Sequence, residues 1–328
     1  MSVLGRLCLK LAKPIQIKPC DLLQTRCFRT KRKPGEKDLG SQPVIEDGNL
    51  PAVGFKALGR PVVFSAVFCG GTLAGCAIWQ YENMREAAKR SRILGWRNEL
   101  LGRKAGSLRE EFRQWWKSLP HADKLFIPIC ALNCLVFAAW RIPNLQVTML
   151  KWFASNPAGK ATCLPMLLSA FSHYSIFHLG FNMFVLHSFM GPAVKLLGQE
   201  QFMAVYLSSG VLTSLASYVH KIGIGRMGYS LGASGAIYTV LGIFGTLVPD
   251  AQLHMILLPM FTFSASTAIK GLMCMDAVGL VMGWRVLDHS AHLAGILYGI
   301  FWVHMGSRLL WDSREPVVQA WHSIRSQR

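Results

Sequence analysis

Apolar residues along this chain fill whole blocks. They do not mark one face of a helix or alternate positions of a strand. From about residue 125 to 306 the chain is nearly continuous apolar material, interrupted by short runs of Gly, Pro and charged residues. A helix needs roughly 20 mostly apolar residues to cross the ~30 Å hydrocarbon layer, so blocks of this length predict membrane spans. Spans are predicted at residues 61–81, 125–140, 173–197, 200–219, 234–248, 264–284 and 288–304. The expected fold class is an all-α polytopic membrane protein, one span followed by six.

The stretches between the blocks differ in kind. Residues 82–123 interleave charges with Leu and Trp, a pattern for an amphipathic helix on the membrane surface or for a solvated charged helix. Residues 141–169 are neither polar enough for a free loop nor apolar enough to span, and Trp152 and Phe153 suit the interface. Gly71 and Gly75 in the first span form a small-xxx-small pair of the kind that packs helices. The span opening at Ser234 ends before Pro249, and at 1.5 Å per residue it covers about 22 Å, short of the hydrocarbon layer. It therefore starts below the surface, which requires surrounding protein or a water-filled cavity above Ser234.

Composition supports a membrane protein: 52% of residues are hydrophobic and 16% charged. The net charge of +18 gathers at the N-terminus, in residues 82–124 and in short loops. That distribution fits anionic lipid or targeting, and no nucleic-acid-binding signature accompanies it. Residues 1–33 carry Arg6, Lys10, Lys13, Lys18, Arg26, Arg29 and Lys31 to Lys33 against the single acid Asp21, the composition of a mitochondrial transit peptide. The Gly-, Pro- and charge-rich run to residue 60 reads as a linker, and residues 307–328 as a C-terminal tail. Nine cysteines without metal spacing predict no metal site, no cofactor and no disulfide framework.

Polar and ionisable residues inside spans are costly and mark function. Here they are His173, His178, Asn182, Asp276, Asp288, His289 and His292. Ser234 stands among small neighbours, Gly232, Ala233 and Gly235, which leave its hydroxyl open. Gly295 and Gly299 follow His292 on one smooth face, so another helix can come close enough for a serine–imidazole hydrogen bond. His178 and Asn182, four apart, share a face that could donate to an oxyanion. Tyr238, four past Ser234, could pack on the His292 ring. Asp288, four before His292, could orient it. His173 and His289 read as cavity polar residues, and Asp276 as a polar packing or gating group.

These residues resemble the rhomboid intramembrane proteases: SLGASGA around Ser234, HLGFN from His178, AHLAG around His292 followed by Gly299, and Trp140-Arg141, in that order over about residues 124–306. The resemblance implies a six-helix rhomboid core with one extra N-terminal helix. It implies a Ser234–His292 dyad without an acid, with His178, Asn182 and the Ser234 N–H as the oxyanion site and Gly232, Gly235, Gly295, Gly299 and Tyr238 in support. It also implies cleavage of single-span transmembrane proteins in the mitochondrial inner membrane. The alternative is an inactive rhomboid-like protein that binds transmembrane clients; a transporter is a more distant reading, and no inverted repeat supports it. With the N-terminus in the matrix, the spans bearing His178, Ser234 and His292 all start on the matrix side, so the site is expected to open there.

Overall fold

The computed structural model describes residues 50–97, 108–255 and 258–327. The transit-peptide reading and most of the following linker lie outside the described residues. Helix α1 spans Gly59–Arg97, α2 Leu108–Ser118, α3 His121–Ala139, α4 Gln146–Phe153, α5 Leu164–Leu168, α6 Ile176–Leu197, α7 Gln199–Gly223 and α8 Ser234–Leu247. Strands β1 (Gln252–Met255) and β2 (Leu258–Ser264) follow, then α9 (Ala265–Met282) and α10 (His289–Phe301). The chain continues through a π-helical stretch, Trp302–Trp311, to α11 (Glu315–Ser326). Among the described residues, five segments are long and apolar enough to cross a membrane: Phe55–Arg90, His121–Ala139, Gln199–Gly223, Ala265–Met282 and His289–Ser326. In lipid every backbone group must bond within its own segment, and that is why such blocks become helices.

The all-helical expectation is corrected between α8 and α9. There β1 and β2 form an antiparallel hairpin, with Gln252 opposite Ser264 and His254 opposite Thr262. The hairpin lies at the end of α8 away from Ser234. The Gly71–Gly75 expectation is corrected as well: a Cβ at either residue would meet no atom within 4 Å. Helix α1 instead buries Ser65, Cys76 and Ala77, and Cys76 packs with Ala204, Val205, Ile243 and Trp302.

The core lies between α6, α7, α8 and α10, with Leu186, Met190, Phe202, Val240 and Ile296 among its fully buried residues. The segment 141–175 folds over one end of this core. Trp140 Nε1 donates to Ser172 Oγ at 2.8 Å, Arg141 donates to the Tyr174 carbonyl, and the Arg141 guanidinium sits 4.4 Å from the centre of the Phe137 ring. An isolated bridge joins this segment to the loop before α8: Ser155 N–H donates to Ser230 O at 2.8 Å and Ser230 N–H to Ser155 O at 2.9 Å.

The residues after 306 do more than trail from the last span. Helix α11 returns along the end of α1, where Tyr81 Oη meets His322 Nδ1 at 2.5 Å. Trp321 Nε1 donates to Glu82 at 2.9 Å, and Arg325 pairs with the same carboxylate at 3.3 Å.

Candidate active site

Ser234 is the first residue of α8, and its N–H therefore has no acceptor within the helix. The turn before it depends on Gly232, whose φ of +129° suits glycine and where a Cβ would overlap His178 Cε1 at 2.7 Å. Gly232 N–H donates to the Ser169 carbonyl at 2.9 Å, and Ala233 N–H donates to His173 Nε2 at 3.3 Å. His173 lies just before α6, not inside a span, and is fully buried.

Helices α8 and α10 touch backbone to backbone. A Cβ on Gly295 would collide with the Gly235 carbonyl oxygen, one on Gly299 with that of Thr239, and one on Gly242 with that of Ile296. Gly235 in turn faces Thr213 of α7 so closely that a Cβ would come within 2.9 Å of the Thr213 Cβ. This approach brings the buried His292 Nε2 to 2.8 Å from Ser234 Oγ. The Tyr238 ring stacks on the imidazole, with centroids 4.1 Å apart and planes at 18°.

The other side of the imidazole holds a group that sequence reasoning singled out without a partner. Asp276 of α9 is fully buried, and its Oδ1 lies 2.7 Å from His289 Nδ1 and 3.3 Å from His292 Nδ1. With Asp276 as the acceptor, the tautomer that carries hydrogen on Nδ1 satisfies both contacts and turns His292 Nε2 toward Ser234 as an acceptor. The bond to His289 is the tighter one; that to His292 is near the long limit for N–H···O. A signal for this pairing exists in the chain: a helical hairpin turning at about residue 283 sets Asp276 beside His289 and His292.

Asp288 does not touch the His292 ring. It caps α10 through the Ala291 N–H at 3.1 Å and accepts from Ser217 at 2.5 Å, Ser290 at 2.7 Å and Ser230. The His178 ring lies edge-on to that of His173, with centroids 4.8 Å apart. Asn182 is buried, and its Nδ2 spends one hydrogen on the His178 carbonyl at 2.8 Å. Behind Ser234 is a cavity of about 30 Å³ lined by Ser169, Thr213, Ser214, Ser230 and Asp288, large enough for a water. Among the described residues no group of three or more His, Cys, Asp or Glu side chains is arranged to hold a metal ion.

The Rhomboid domain model matches residues 160–309. The chain is 47% identical over 275 residues to the human presenilin-associated rhomboid-like protein, mitochondrial, covering 83% of this chain and 72% of that one. The cattle protein of the same name is 42% identical over 322 residues, covering 93% and 85%. Rhomboid protein 1, mitochondrial, of Saccharomyces cerevisiae is 30% identical over 202 residues, covering 61% and 58%. A helical membrane chain with this site and these relatives belongs to the rhomboid family.

Proposed function

We propose that this protein is an intramembrane serine endopeptidase of the mitochondrial inner membrane, cutting single-span transmembrane proteins in or beside their membrane helix. The observation that carries the reading is the 2.8 Å contact between Ser234 Oγ and His292 Nε2 in a buried, glycine-lined seam. Its arrangement is α1 plus a six-helix core of α3, α6, α7, α8, α9 and α10. The relatives' names, all carrying the word mitochondrial, support the location.

In the reaction, His292 Nε2 takes the Ser234 proton as Oγ attacks the scissile carbonyl carbon. The tetrahedral oxyanion is met by the Ser234 N–H at the start of α8, with His178 and Asn182 beside it. The imidazolium then protonates the leaving amine, and an acyl group remains on Ser234. Water enters and gives a proton to His292 as its oxygen bonds to the acyl carbon, and His292 returns that proton to Ser234 Oγ as the acyl bond breaks and the new carboxyl group leaves. Asp276 accepts the His292 Nδ1–H throughout and so fixes the tautomer, although at 3.3 Å it does so weakly. A substrate helix must unwind locally, which Gly, Pro or small residues near the cut would ease.

The presence of both Ser234 and His292 at bonding distance favours hydrolysis over a client-binding role alone. The decisive experiment mixes purified wild-type and Ser234→Ala protein with a generic transmembrane substrate in detergent. Cleavage by the wild type alone is expected, and equal cleavage by both ends the proposal. The proposed opening toward the matrix is tested with a C-terminal tag. Protease added to mitochondria with ruptured outer membranes should remove it, and full protection reverses the orientation.

A further inference from the structure

Asp288 touches neither Ser234 nor the ring of His292, yet it ties together the segments that carry them. Its two oxygens have different partners. Oδ1 accepts from Ser290 Oγ at 2.7 Å and from the Ala291 N–H at 3.1 Å, which caps the helix that holds His292 one turn on. Oδ2 accepts from Ser217 Oγ of α7 at 2.5 Å and from Ser230 Oγ in the loop that leads to Ser234. Lys221 Nζ of α7 completes the node. It lies 3.7 Å from Oδ2, 2.5 Å from Ser230 Oγ and 3.0 Å from the Gly228 carbonyl.

The need for such a node follows from the seam. Glycine faces set how near α8 and α10 approach, but a smooth face offers no ridge against sliding or against movement of the Ser234 turn. Ser230 is four residues before Ser234 and Asp288 four before His292, so one carboxylate joins the leads into both. Its charge is matched by Lys221 and its lone pairs are filled, the conditions under which a partly buried carboxylate is tolerated.

We propose that Asp288, with Ser217, Ser230 and Lys221, is a positioning residue that holds the Ser234 loop in register with α10. This rests on Ser234 and His292 being the reacting pair. A misplacement of about 1 Å can lower a rate by about 10²-fold, and the node sits where such a shift would start.

The test uses full-length protein in liposomes with a transmembrane substrate. Asp288→Asn keeps an amide oxygen for the helix cap but loses the anionic Oδ2. Its kcat should fall about 10- to 100-fold with KM within about twofold. Fluorophosphonate labelling of Ser234 should slow by the same factor, and backbone hydrogen exchange over residues 224–233 should rise. Ser217→Ala should give a smaller effect that does not add to Asp288→Asn, and it carries the same test should the Asn variant fail to fold. Wild-type kcat and labelling in a folded Asp288→Asn protein, or lost turnover with unchanged exchange of the loop, would overturn the proposal. Ser234→Ala separates the two claims. Turnover in that variant removes the nucleophile assignment, while the exchange measurement still judges the anchor on its own.

Discussion

Two helix seams in this molecule are built in opposite ways. Between α8 and α10 the contact is backbone on backbone: Gly242, Gly295 and Gly299 leave no room for a Cβ. Between α1 and the rest, side chains do the packing, and a polar clasp at one end, Glu82 with Trp321 and Arg325 and Tyr81 with His322, fastens the helix. Lipid tails are as apolar as leucine, so neither seam is driven by removal from water; close packing and hydrogen bonds must hold both. The first seam has to set a distance, because a serine and an imidazole act only within hydrogen-bond reach. The second has only to attach a helix, and it leaves Gly71 and Gly75 of α1 facing outward.

The largest test of that contrast removes the groups the first seam aligns. Ser234→Ala and His292→Ala should each lower cleavage on the order of 10⁴-fold or more while the protein stays folded, and the double variant should lose little further. Substantial residual turnover in either would dissociate the seam from chemistry. Asn182→Ala should fall in kcat by about 10²- to 10³-fold, the usual loss of one oxyanion donor. A change confined to KM would make Asn182 a binding residue instead.

Substituting the two kinds of glycine compares the seams directly. Gly295→Leu forces the Gly235 carbonyl away and should reduce kcat by about 10²-fold through displacement of His292, with a destabilisation of about 1–3 kcal/mol from overpacking. Gly75→Leu, where no atom lies within 4 Å, should leave turnover unchanged. Equal sensitivity at both positions would mean that α1 makes a contact outside this chain. The smallest effect is expected at the clasp. Glu82→Gln should cost about 1 kcal/mol in thermal unfolding, typical of a partly exposed ion pair, with kcat within about twofold of wild type. A large loss of turnover there would show that α1 communicates with the site.

Much of the site was legible before the fold. The glycines at 235, 295 and 299, Ser234 and His292 stand in short local strings whose meaning depends only on residue size and chemistry, and the structure brings them to one seam. The short length of the segment after Ser234 carried the idea of a buried start. The hairpin at residues 252–264 was not foreseen, because a short apolar stretch between two spans has no periodicity that separates a strand from a loop. The first span's small-residue face was misread, since composition does not say which side of a helix meets protein and which meets lipid.

The sequence by itself determined that this chain is helical and membrane-embedded, and that it holds a serine and a histidine able to meet. Those properties follow from hydrophobic block length and from side-chain volume, which act within a few residues. Only the tertiary structure decided which acid serves which partner. Asp288, close to His292 along the chain, turns its carboxylate to Ser217, Ser230 and Lys221, whereas Asp276, on another helix, reaches the imidazole. A carboxylate's partner is set by which helix faces it and at what height. In a bundle that is fixed by packing across elements, so nearness along one helix does not choose between the two acids.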